Sequence, residues 1–278
     1  MLWVPQKGRL MYQSNLGTTG VTAMGTSATT GGAASTKGSY AECIASTSFD
    51  AYWVGITLGN YSATVTNNNL MVDIAVGAAT EEIIIADLMG GGCSATSGGS
   101  PRRHYMFPLY IPAGSRITTR GAGQRVSTGY RTGIELWGGD AIPPFRVGRK
   151  VTTYGVGTVP TGTTIVPGTS GAAGAHTQIV ASTTENHFAF VPGFQPGDDT
   201  TKNNGAFAAA IGVGAATEEE LSTIWFFGTN SAEETYSVQP LMPAFADVPA
   251  ATRLSMRFSS SLATLDAGNY NGTIYAIS

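Results

Sequence analysis

Seven consecutive residues, Val76-Gly77-Ala78-Ala79-Thr80-Glu81-Glu82, return 137 positions later as Val213-Gly214-Ala215-Ala216-Thr217-Glu218-Glu219. The same offset carries Ile111–Arg120 onto Val248–Arg257 and keeps a proline (Pro112, Pro249) and two arginines (Arg116 and Arg120, Arg253 and Arg257) in register. Upstream the offset slips by one, where Ala45-Ser46-Thr47 matches Ala181-Ser182-Thr183. A self-match of this length means two copies of one fold, and its period is far above the roughly 20–50 residues of a solenoid repeat. In a chain of 278 residues each copy is large enough to bury a core of its own.

Which fold is duplicated follows from the residues around the repeat. Leu70, Val72, Ile74 and Val76 alternate with Met71, Asp73 and Ala75, and the second copy places Phe207, Ala209, Ile211 and Val213 at the matching positions. That is the period-2 pattern of a strand with one apolar face. After the Gly-Ala-Ala-Thr turn come β-branched and aromatic runs, Ile83-Ile84-Ile85 and Ile224-Trp225-Phe226-Phe227, which favour a second antiparallel strand. Each copy ends on another apolar strand, Thr132–Trp137 and Gly272–Ile277, and Pro108 and Pro112 confine the run between them to strand ends or an edge. Only 12% of residues are charged, 37 are glycine, and 42% are hydrophobic, so the chain reads as β-rich and ordered. The expected fold is all-β: two tandem antiparallel β-sandwiches of jelly-roll type, with a glycine-rich N-terminal arm. Residues 1–37 are assigned to that arm, 38–142 to the first sandwich, 143–173 to a linker and second arm, and 174–278 to the second sandwich. The arm opens with a short apolar patch, runs on small and polar through Gly17–Gly20 and Gly25–Gly32, and is expected to lie along a neighbouring surface.

Groups able to do chemistry are scarce. His104, His176 and His187 do not repeat between copies and lack the spacing of a zinc pair or a catalytic triad. The adjacent glutamates of the repeated turn point to opposite faces of an extended chain, so they are expected to be solvated rather than to converge on one substrate atom. A glycan-cleaving enzyme would need two carboxylates about 5–10 Å apart in a cleft. Cys43 aligns with Ile179 and is expected to be a small buried hydrophobe, while Cys93 falls in the Gly90–Ser100 loop. Asp198–Asn204 offers oxygen ligands without the alternate spacing of a calcium loop. Trp53, Trp137 and Trp225 lie in strand-like runs where core packing is expected. No enzymatic activity, cofactor or metal is expected. The first seven residues lack the apolar core of a secretory signal and no stretch is long enough for a membrane helix, so synthesis in the cytoplasm and no membrane association are expected.

The run Phe107–Ile117, preceded by the alternating strand and the Val-Gly-Ala-Ala turn, resembles structural proteins of tailed-bacteriophage particles. The resemblance covers roughly residues 70–137, and more loosely the second copy, where Ala251 replaces Gly114 and Phe245 replaces Pro108. It implies a virion component of the decoration or cement kind, whose partners are copies of itself and other virion proteins such as the major capsid protein. An adhesin that reads a receptor or glycan from a tail fibre or spike is the alternative that the same sandwich allows.

Charge suggests where such contacts form. Residues 1–150 hold 12 Lys and Arg against 8 Asp and Glu, whereas 151–278 hold 3 against 10. The basic half falls short of the dense stripe that neutralising nucleic-acid phosphates requires, so protein–protein contact is the favoured use. Candidate interface residues are Arg102, Arg103, Arg125, Arg131 and Arg146 on the basic side, and Glu218, Glu219, Glu220, Glu233 and Glu234 on the acidic side. The rows Arg116/Arg120 and Arg253/Arg257, each on one strand face, join them.

Overall fold

A computed structural model describes residues 8–17, 24–60, 69–77, 80–91, 102–140, 143, 145–157, 160–197, 205–214, 217–221, 223–229, 235–263 and 270–278. Among these residues there is no helix, and every pairing between strands is antiparallel.

The first copy consists of β1 (Leu10–Ser14), β2 (Thr26–Thr29), β3 (Ala41–Ile44), β4 (Ala51–Asn60), β5 (Leu70–Val76), β6 (Glu82–Gly91), β7 (Arg102–Phe107), β8 (Ile117–Gly123) and β9 (Gly129–Gly139). The second consists of β10 (Val151–Tyr154), β11 (Thr163–Ile165), β12 (Thr177–Val180), β13 (His187–Pro196), β14 (Gly205–Val213), β15 (Glu219–Glu220), β16 (Trp225–Thr229), β17 (Thr235–Ser237), β18 (Ala244–Val248), β19 (Leu254–Ser260) and β20 (Tyr270–Ile277). One sheet of the first sandwich runs β1-β9-β4-β7 with β2 also on β9, and the other runs β3-β8-β5-β6. The second sandwich repeats both orders as β10-β20-β13-β18 with β11 on β20, and β12-β19-β14-β16, adding β17 at the edge and β15 beside β14. Two tandem antiparallel sandwiches, as the duplication required, are therefore the architecture.

The repeated heptapeptide closes the β5–β6 hairpin and its counterpart between β14 and β15. Gly77 (φ 127°) and Gly214 (φ 105°) start these turns in backbone conformations that suit glycine, and each donates its N–H to the carbonyl of the aligned arginine, Arg116 or Arg253, at 3.1 Å. Of the expected inward residues, Leu70, Val72, Ile74, Phe207, Ala209 and Ile211 are buried, and Val76 and Val213 at the strand ends are partly buried. In the first copy the opposite face is buried as well: Met71 and Asp73 are closed off from solvent, so β5 is not the half-exposed strand its alternation suggests.

The arm expectation is corrected at residues 10–14 and 26–29. β1 and β2 pair end to end along β9 of their own chain, Leu10 opposite Gly139 and Thr29 opposite Gly129. β10 and β11 do the same on β20, so residues assigned to the linker belong to the second sandwich. The physical reason is that β9 and β20 would otherwise be sheet edges with unpaired N–H and C=O groups, and short strands suffice to cover them. The unit that was duplicated includes its arm.

Candidate assembly interface

Strand β6 of the first sandwich lies against β10 and β13 of the second. Met89 sits at the centre of this contact. Its N–H donates to the Tyr275 hydroxyl at 2.7 Å and its carbonyl accepts from the Tyr105 hydroxyl at 2.7 Å. The Tyr275 hydroxyl in turn donates to the Asp87 carbonyl at 3.1 Å. The Met89 side chain reaches a floor made by Gly162 and Gly193, where an added Cβ would meet its methyl or its sulfur. Glycine at these two places permits the close approach. Around the centre, Thr153 Oγ1 donates to the Ala86 carbonyl at 2.5 Å and the Asn69 amide to the Pro196 carbonyl at 2.8 Å. Leu241 bridges the free edge of β7, donating to the His104 carbonyl at 2.7 Å and accepting from Met106 at 3.2 Å.

Arg103 belongs to this interface rather than to a surface. It is 0% exposed, bonds Thr235 Oγ1, and places its guanidinium 5.3 Å from the Phe227 ring centre and 5.8 Å from that of Phe194. Burial lowers its pKa from the usual guanidinium value, with Tyr105 and Tyr275 acting in the opposite direction. Nε and Nη1 have no hydrogen-bond partner among the described residues, so the aromatic faces supply much of what replaces water. A side chain so enclosed cannot meet another subunit, which corrects its assignment as an exposed interface residue.

The two arginine rows are engaged within the chain. Arg116 binds Glu42 through Nε at 2.8 Å and Glu81 through Nη1 at 3.1 Å; Arg253 binds Gln178 through Nε at 3.1 Å and Glu218 through Nη1 at 2.5 Å. The first glutamate of each repeated turn, Glu81 or Glu218, is thus clamped by the repeated arginine, while the second, Glu82 or Glu219, is exposed as expected. Arg120 lies over the Tyr40 ring at 4.6 Å and binds Asp73 at 2.9 Å, while Arg257 pairs with Glu220, which also faces His176 at 3.1 Å. Arg146 pairs with Asp247 at 2.9 Å and covers Phe188 at 4.5 Å, at a cleft of about 220 Å³ shared with Asn186 and His187. Arg131 donates to the Gly25 carbonyl at 3.2 Å, Arg125 is exposed, and Glu219 is exposed on β15. The backbone of Arg102 is in β7, and Glu233 and Glu234 lie outside the described residues. Of these ion pairs only Arg146–Asp247 joins the two halves; the others form within one half, so the basic and the acidic balance of the two halves remain.

Asp73 and Asp87 are carboxylates that approach each other, bridged by Lys37 Nζ at 2.7 and 2.6 Å. Burial raises the Asp73 pKa, but Lys37, the Asp87 amide and Arg120 outweigh it and hold the carboxyl below the usual range. An acid held ionised by two cations is a poor proton donor, so Asp73 does not suit the general-acid role in glycoside hydrolysis. Beside it an open groove of about 620 Å³ runs along residues 27–32 and 37–41, lined by hydroxyls, Lys37 and Tyr40. Among the described residues no three His, Cys, Asp or Glu converge on a metal position, and no helix is long and apolar enough to cross a membrane. Cys43 is buried, and burial pushes its thiol up to about 12; Cys93, Asp198–Asn204 and residues 92–100 lie outside the described residues. Trp225 is buried and donates to the Met242 carbonyl at 2.6 Å, whereas Trp53 and Trp137 are half-buried beside Phe145 and Tyr12.

No protein-family model and no curated protein matches this chain. Solved structures that it resembles include a chain of the Sulfolobus Turreted Icosahedral Virus (10% identity, 97% of this chain and 90% of that chain, TM-score 0.36). PNGF-II (8% identity, TM-score 0.33) is matched over 86% of this chain, which spans 59% of the PNGF-II chain. The tandem CBM22-1–CBM22-2 domain of Paenibacillus barcinonensis Xyn10C is matched at 8% identity over 98% of this chain and 92% of that chain, with a TM-score of 0.27. At such TM-scores none of these likenesses bears on what the chain does.

Proposed function

We propose that this chain is a structural component of a bacteriophage particle, made in the host cytoplasm and incorporated into the virion. There it decorates or cements the capsid by joining copies of itself and neighbouring virion proteins, the major capsid protein among them. The observation that carries the reading is the junction around Met89: a β-sandwich here binds its own duplicate through a glycine floor, buried tyrosines and a buried arginine. Adhesion between like domains is what a particle-building protein needs, and the chain has it built in. No enzymatic role, cofactor or metal is proposed. Quantitative mass spectrometry of purified particles tests the reading. Several hundred copies per particle is the expected result for a decoration protein, and absence from the particle contradicts it.

The hydroxyl-lined groove beside Tyr40 favours a second reading, a glycan-binding adhesin on a fibre or spike. Saturable binding on a glycan array that is lost on Tyr40→Ala, together with a few dozen copies per particle, would favour it over the first.

A further inference from the structure

The two halves of the Met89 junction each have a counterpart in the other copy, and among the described residues each counterpart carries large apolar side chains that are exposed. On the donor side, Met89 stands opposite Met71 across the β5–β6 ladder, and Phe226 stands opposite Ala208 across β14–β16. Both residues of each pair are related by the 137-residue offset, so Phe226 is the second copy's Met89. Met89 is 0% exposed; Phe226 is 48% exposed. Ile224, just before β16, and Val238, just after β17, whose N–H reaches the Phe226 carbonyl, are exposed with it. On the acceptor side, Val151 pairs with Ile277 in the sheet that receives Met89, and Tyr12 pairs with Trp137 at the same place in the first sandwich. Val151 is 3% exposed and Tyr12 is 53% exposed. Trp137, half-buried with its ring 5.4 Å from that of Tyr12, and the exposed Leu10 continue this face.

We infer that a second copy of this chain covers both faces: the Phe226 face of one molecule seats on the Tyr12–Trp137 face of the next, in the same relative placement as the intrachain junction but with Glu135 and Thr57 standing where that junction has Tyr275 and Gly193. The intrachain junction is the template, because the operation that carries the first sandwich onto the second carries the second onto the first sandwich of the following molecule. Such a contact is heterologous, so it closes into a ring or continues as an array and leaves no like-to-like pairing. Exposed apolar side chains stand on both faces, Phe226, Ile224 and Val238 on one and Leu10 and Tyr12 on the other. The inference deepens the structural-protein reading and rests on it.

The test is sedimentation of the full chain over a concentration series, with Phe226→Arg, Tyr12→Arg and, as a control at an exposed position outside both faces, Val126→Arg. Each of the first two, with thermal unfolding unchanged, is expected to weaken self-association about thirty-fold or more, as loss of a central interface anchor does. Val126→Arg leaves it unchanged. Mixing Phe226→Arg with Tyr12→Arg is expected to give dimers and nothing larger, because each variant retains the end that the other has lost. Wild-type association that both variants leave intact, a mixture that stays monomeric, or a wild-type chain monomeric at every concentration overturns the inference. Particle incorporation separates this failure from that of the underlying reading: variants that enter particles in wild-type number remove the head-to-tail contact alone, whereas a wild-type chain missing from particles removes the structural role.

Discussion

Met89 and Tyr275 meet across the boundary of the two sandwiches, the amide of one donating to the hydroxyl of the other at 2.7 Å. They are 186 residues apart in the chain. That hydroxyl also donates to the Asp87 carbonyl, so one oxygen serves two buried backbone groups of β6. Tyr275→Phe keeps the ring and removes both bonds. It is expected to destabilise the chain by about 1–3 kcal/mol, the cost of buried backbone groups left unpaired, read as a lower denaturant midpoint with unchanged slope. Unaltered stability would mean that the junction is held by packing alone.

The Lys37–Asp73–Arg120 cluster makes the first sandwich acid-sensitive. Because the folded-state pKa of Asp73 is below its ordinary value, its contribution is complete above the unfolded carboxylate range near 4 and is lost as pH falls through the folded value. Asp73→Asn should abolish this acid-dependent step and cost about 3 kcal/mol at neutral pH by leaving Lys37 and Arg120 facing an uncharged group. Its second-copy counterpart is Ala210, so no matching effect is expected there. Unfolding followed from pH 7 downward in both proteins checks the sign.

Gly114 and Ala251 occupy the same turn in the two copies, with φ 81° and φ 64°. Both donate N–H to a threonine carbonyl, Gly114 to Thr47 at 2.7 Å and Ala251 to Thr183 at 2.8 Å, so the conformation is held on each side. An added Cβ at Gly114 meets nothing within 4 Å, which leaves backbone strain as the cost of a side chain there. Gly114→Ala should therefore destabilise by about 1–2 kcal/mol. Ala251→Gly should relieve the same strain, offset by about 0.4–1 kcal/mol of added unfolded-chain entropy, for a small net gain. Thermal midpoints moving in opposite directions would confirm the pairing of these turns.

Cys43 is buried with its thiol pushed up to about 12. In a Cys93→Ser background it should resist thiol reagents at pH 8 and react only on unfolding, at the unfolding rate. Rapid labelling of the native chain would place Cys43 at a surface.

Much of this architecture is legible in the sequence because one fold is written twice. The alternation at Leu70–Val76 is confirmed by different residues at Phe207–Val213, and the 137-residue offset places Arg116 against Glu81 just as it places Arg253 against Glu218. What escapes sequence reasoning depends on where distant chain arrives. β2 carries little apolar signal because backbone pairing with β9, not side-chain burial, holds Thr26–Thr29 in place. Asp73 falls on the polar side of its strand's alternation, yet it is 2% exposed because Lys37 and Arg120 close over it. Arg103 reads as one charge in a basic segment, and nothing local announces that Phe194 and Phe227 enclose it. The equivalence of Met89 and Phe226 is present in the offset, but only burial reveals that one is covered and the other bare.

An electron cryo-microscopy reconstruction of the assembled particle tests the central claim most directly. Neighbouring copies are predicted to meet head to tail, with Phe226 of one chain against Tyr12 and Trp137 of the next, in the relation that Met89 has to the sheet carrying Val151 and Ile277. Copies that leave these two faces in solvent, or that join them like to like, would contradict the account.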